Sequence, residues 1–133
     1  MDAINLIATV NQLMGPITDL YQLQKKAKTV MKPSAAVVRQ YENAVYTLRD
    51  QKVCGPAKGI LQILLDSIEA FEAGRVLDAG HAVMMALEQF EAAGKDLEVT
   101  IDPDQAAAMG RFRTHLFKLV VPSPELKQKR VDI

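Results

Sequence analysis

The chain has no tryptophan, one cysteine, two histidines and only 5% aromatic residues in 133 positions. A single cysteine, Cys54, excludes an internal disulfide and fits a reducing compartment. Neither His81 nor His115 lies in HExxH or at short ligand spacing to Cys54, so no metal set assembles along the sequence. No apolar run approaches the roughly 18 residues of a membrane span, and no membrane partner is expected. Asp2 stands where a secretory signal would carry positive charge, which argues against export and for the cytoplasm.

Catalytic signatures are missing as well. CGPAKG lacks the GKS/T end of a phosphate-binding loop, and Ser34, Ser67 and Ser123 sit in no nucleophile elbow. Asp102 and Asp104 open like a calcium loop, but the third acid, glycine and terminal glutamate do not follow. Helix capping is the better account of both. The many carboxylates of residues 59–104 match surface acids at helical spacing rather than a catalytic pair. The expectation is a protein that is not an enzyme and carries neither cofactor nor metal.

What is present is a globular composition, with 49% apolar and 24% charged residues, and a length that suits one domain. The zero net charge hides an uneven layout. Residues 1–58 carry +4, residues 59–104 carry −8 and residues 105–133 carry +4. Basic ends around an acidic middle can bind a polyanion on one surface, or can stack end to middle with further copies.

Period-3.6 patterns dominate and no convincing strand alternation occurs. Helices are expected over about 3–14, 16–31, 34–53, 57–73, 76–93 and 102–121, with Gly15-Pro16, Lys32-Pro33, Cys54-Gly55-Pro56, Gly74 and Pro122 as breaks. Val99-Thr100-Ile101 could be briefly extended. Ser34 reads as an N-cap, and Asp102-Pro103-Asp104-Gln105 as a capping box. The fold class is therefore all-α, a compact bundle of five or six helices. It divides into a helical domain, 1–121, and a basic tail, 122–133, that is mobile or contacts another copy. Gly74, Ala86, Phe90 and Ala93 echo the tetratricopeptide spacing, but nothing recurs 34 residues earlier, so a generic helical hairpin is expected.

Helical wheels separate core from surface. Inward sets are Ile17, Leu20, Leu23, Ala27, Val30 and Met31; Val37, Val38, Tyr41, Val45 and Leu48; and Met109, Phe112, Leu116, Leu119 and Val120. Phe71 and Phe90 also point inward. Tyr21, Lys25, Lys28 and Lys32 form a separate stripe. Tyr46 lies off the core with Arg39 and Arg49 within two turns. Arg111, His115 and Lys118 form a third stripe, and Phe117 falls beside Arg113. Three off-core rings in basic helices suit a single strand of nucleic acid. Cations neutralise phosphates, and exposed bases stack on aromatic faces for about 1–3 kcal/mol each. The same stripes are also what ordinary solvated helix faces look like.

In size, helical pattern and basic-aromatic stripes across residues 17–130, the chain resembles the small single-stranded-DNA-binding transcription cofactors of N4-like bacteriophages. That resemblance implies action at unwound promoters beside a phage RNA polymerase, in the host cytoplasm. It carries over no residue by position. It also departs from the OB-fold of most single-strand binders. The leading expectation is a single-stranded nucleic-acid-binding accessory factor of transcription or replication that forms a homo-oligomer. Lys25, Lys28, Lys32, Arg39, Arg49, Arg111, Arg113 and Lys118 contact phosphates. Tyr21, Tyr46 and Phe117 stack, and Lys127, Lys129 and Arg130 tether. The alternative is a helical adaptor or assembly subunit that binds no nucleic acid.

Overall fold

A computed structural model describes residues 3–50, 57–97 and 99–120, with Ala57 and Lys58 described by backbone alone. Five helices follow in order: α1 (Ala3–Ala27), α2 (Ala35–Asp50), α3 (Ala57–Glu72), α4 (Val76–Lys95) and α5 (Pro103–Val120). No strand occurs among the described residues, and Val99-Thr100-Ile101 is not one. The expected ends at Val53 and Pro122, the turn at Cys54-Gly55-Pro56 and the tail 122–133 lie outside the described residues.

The first two expected helices are one. Pro16 sits inside α1 instead of opening a new helix. Its ring removes the bond to Gln12 and crowds that carbonyl, a cost of about 3 kcal/mol. Leu6, Val10, Leu13, Ile17 and Leu20 form a buried ladder that runs through the proline. Each such side chain gains about 1.5–3 kcal/mol on burial. Five of them outweigh one broken bond, so the helix continues.

At its other end α1 stops earlier than its pattern implies. Lys28 takes φ 57°, and its N–H donates to the Gln24 carbonyl at 2.8 Å. Stopping at Ala27 corrects the inward assignment of Ala27 and Val30, which are exposed. Leu23 is exposed too, because it lies about 100° from the direction set by the ladder. Val37, assigned to the core, is half-buried against it.

Capping matches the sequence closely. Ser34 Oγ accepts the Val37 N–H at 3.3 Å to open α2. At α5 the Gln105 N–H donates to Asp102 Oδ1 at 2.8 Å, and the Asp102 N–H donates to Gln105 Oε1 at 3.0 Å. These are the two reciprocal bonds of a capping box, with Pro103 at the first helical position.

The α3–α4 hairpin turns at Gly74, whose φ is 82°. The Arg75 N–H reaches back to Ala70 O at 2.8 Å and the Gly74 N–H to Phe71 O at 3.0 Å, a Schellman stop. A β-carbon on Gly74 would lie 2.7 Å from the Met31 carbonyl oxygen, so glycine is required twice over. Gln24 binds both neighbours. Its Nε2 donates to Met31 O at 2.7 Å and to Gly74 O at 2.8 Å, tying the α1–α2 loop to the α3–α4 turn.

These contacts set the helix directions. Gln24 meets Gly74, and Gly80 faces Ile17, so α4 runs antiparallel to α1. Gly80 also faces Leu116 and Val120, while Glu91 pairs with Arg113, so α4 is antiparallel to α5 as well. Hence α1 and α5 are parallel neighbours. Packing is closest between α3 and α4; α2 packs on α1 and α3. Inside, Tyr41 stacks on Phe71 with ring centres 4.4 Å apart. The Tyr41 hydroxyl lies 2.7 Å from Ser67 Oγ, which itself donates to Leu64 O at 2.6 Å. Ser67 has one hydrogen, so Tyr41 is the donor in that pair. Burial raises the Tyr41 pKa well above its usual value.

Candidate nucleic-acid interface

Each surface residue takes its place from the core ladder on its own helix. On α5, burial of Met109 and Leu116, with Phe112 and Leu119 partly covered, turns Arg111, His115 and Lys118 outward. These three line an open depression of about 500 Å³ with Ala107, Gly110, Arg113 and Thr114. On α1 the same logic exposes Lys25 and leaves Tyr21 half-buried against the core.

One contact joins the two helices at this surface. Thr18 Oγ1 and His115 Nε2 lie 2.9 Å apart in a hydrogen bond. Tyr21 and Lys25 follow Thr18 at i+3 and i+7, on the same side of α1. Thr18, Tyr21 and Lys25 thus lie on the side of α1 that His115 meets, while Arg111 and Lys118 face outward on α5. Lys28 and Lys32 are exposed beyond the end of α1, so the four-residue stripe expected there is not a helical stripe past Lys25.

Arg39 and Lys32 line a different depression, beside Glu42 of α2 and Glu72 of α3, where the carboxylates oppose a phosphate. Tyr46 lies off the core on the sequence wheel, yet it is half-buried and packed against it. The Arg49 guanidinium covers its ring at 4.5 Å from the centroid, and Arg49 also pairs with Asp50 at 3.2 Å. That ring face and that cation are already engaged. Arg113 likewise gives its Nε to Glu91 at 2.5 Å.

Phe117 differs from both tyrosines. It is 55% exposed and stands in a depression shared by Met84 and Glu88 of α4 with Arg113 and Thr114. Arg113 and Thr114 also line the basic depression, so the free ring borders it. The three rings therefore occupy three places: the α1–α5 seam, α2, and the α4–α5 groove. They do not form one continuous track. No family model, curated protein or solved structure matches this chain.

The remaining candidates are quickly placed. His81 is exposed among Asp66, Asp78 and Met85. Among the described residues no group of three or more His, Cys, Asp and Glu side chains is placed to hold a metal ion. No described helix is long and apolar enough to cross a membrane. Lys127, Lys129 and Arg130 lie outside the described residues. Thr18 was not among the expected site residues, though extending the Tyr21–Lys25 spacing back three positions finds it.

Proposed function

We propose that the protein is a non-enzymatic nucleic-acid-binding factor that takes a single strand along the α1–α5 seam. The carrying observation is that Arg111, His115 and Lys118 line one open depression on α5, with His115 bonded to Thr18 of α1 and the exposed ring of Phe117 bordering the depression through Arg113 and Thr114. Phosphates sit on the cations and one base stacks on Phe117, while Tyr21 is half-buried against the core. Lys28 extends the positive surface beyond α1, while Lys32 lies with Arg39 beside Glu42 and Glu72. Arg39, Tyr46 and Arg49 fall outside this footprint, since their neighbours are acids or each other. A role beside an RNA polymerase in transcription or replication is what the phage-cofactor resemblance adds to this reading.

Labelled oligonucleotides test it by fluorescence anisotropy across a salt series. A single strand should be held at low salt and released as salt rises, each lost phosphate contact lowering the slope by about 0.7. Replacing Lys25 and Lys28 with alanine should flatten that slope by roughly one to two such contacts. Phe117→Ala should weaken binding by about 1–3 kcal/mol, whereas Tyr46→Ala should leave it unchanged. Absence of any binding at low salt removes the proposal.

A second reading, an assembly subunit that forms a homo-oligomer, is favoured by a specific observation. The exposed Phe117 ring, with Glu88 beside it and Arg113 paired to Glu91, adjoins the basic depression on the same helix.

A further inference from the structure

Phe117 is a bulky apolar side chain left more than half in water on a helix whose other large apolar residues are covered to a greater degree. On one side of it α4 contributes Met84 and Glu88. On its other side α5 opens the depression formed by Arg111, Thr114, His115 and Lys118, residues at i, i+3, i+4 and i+7. That diamond is the geometry in which one helix receives a single side chain of another. The same surface therefore holds an exposed ring beside Glu88, with Arg113 of that flank paired to Glu91, and next to it an open hollow with a basic rim.

We propose that this surface binds a second copy of the chain, α5 against α5, each Phe117 seated in the hollow of the partner subunit. Symmetry selects the orientation. When two helices pair in parallel about a two-fold axis running between them, the left flank of each meets the right flank of the other. When they pair antiparallel, like flanks meet. Here one flank of α5 is basic, through Arg111 and Lys118, and on the other Arg113 is paired with Glu91, so Glu88 of α4 leaves a net negative charge. Parallel pairing sets Glu88 opposite the partner's Arg111 and Lys118, twice per dimer. Antiparallel pairing sets cation against cation. The contact is isologous and closes at two copies.

The contributions divide by type. Withdrawal of two phenylalanine rings and the Met84 side chains from water drives association. Rim charges at the surface are each worth little, but they choose the partner flank and the register. Arg and Lys also offer their aliphatic stems and a cation to the inserted ring. None of this involves nucleic acid, so it stands or falls separately from the strand-binding reading.

Sedimentation of the full-length chain without nucleic acid provides the test, over a range of protein and salt concentrations. The expected result is a monomer–dimer equilibrium weakened by salt. Phe117→Asp should weaken it by roughly thirtyfold or more, the loss expected for a buried aromatic anchor, with unchanged far-ultraviolet circular dichroism. Glu88→Lys alone and the Arg111→Glu/Lys118→Glu pair alone should each be monomeric, because like charges then face each other. Mixing those two variants should restore a dimer containing one of each. A wild-type chain that stays monomeric throughout overturns the proposal. So does a Phe117→Asp chain that dimerises normally, or a charge-swapped mixture that fails to associate.

Discussion

Tyr41 is the residue whose chemistry couples most directly to stability. Its hydroxyl is buried and satisfied by Ser67, and burial holds the proton on the ring above the ordinary tyrosine range. In the unfolded chain the same group ionises near its ordinary pKa of 10.0. The folded state therefore keeps its full stability below that pH, and loses it as pH rises from there toward the folded value. Alkaline unfolding followed by circular dichroism should begin near pH 10, and Tyr41→Phe should remove this component. At neutral pH the same change costs about 1 kcal/mol for the lost hydrogen bond. Gly74 makes a second residue-scale prediction. Alanine there must accept a left-handed backbone and collide with the Met31 carbonyl. Gly74→Ala should lower stability by about 1–3 kcal/mol in a denaturant titration.

Among the elements, α1 shows where sequence reading succeeds and where it stops. Local signals were legible: the capping box at Asp102 and Gln105, the Ser34 cap and the Gly74 stop each involve a few neighbouring residues. Pro16 reads as a break because its cost is local, while the ladder that overrides it gains its burial from α2, α4 and α5. Pro16→Ala should accordingly stabilise the protein, by about 1–2 kcal/mol once the looser unfolded chain is allowed for. A lower melting temperature for that variant would show that the proline is needed where it stands. Tyr46 illustrates the same limit at the candidate site. A wheel shows the direction a side chain leaves its own helix, and cannot show that Arg49 lies over its ring. The seam itself depended on Thr18 meeting His115, 97 residues apart, which no periodicity encodes.

For the whole molecule, the uneven charge along the chain becomes an uneven surface. The α4 edge bears Glu88 and Glu91, and the outer face of α5 bears Arg111 and Lys118. The two proposed partners, a nucleic-acid strand and a second copy, draw on Phe117, Arg111 and Lys118 alike. They should exclude each other. Adding a single-stranded oligonucleotide in sedimentation experiments should shift dimer toward monomer, and raising protein concentration should weaken apparent strand affinity. A ternary species of two chains on one α5 face and a bound strand would contradict that exclusion.

Gln24 gives the bundle a hinge pin. Both hydrogens of one carboxamide are spent on carbonyls from segments 43 positions apart, Met31 and Gly74. A load applied to the lysines just past α1 travels through this single group into the head of the acidic hairpin. Traction on the α1–α2 loop is therefore felt directly at the α3–α4 turn beside it.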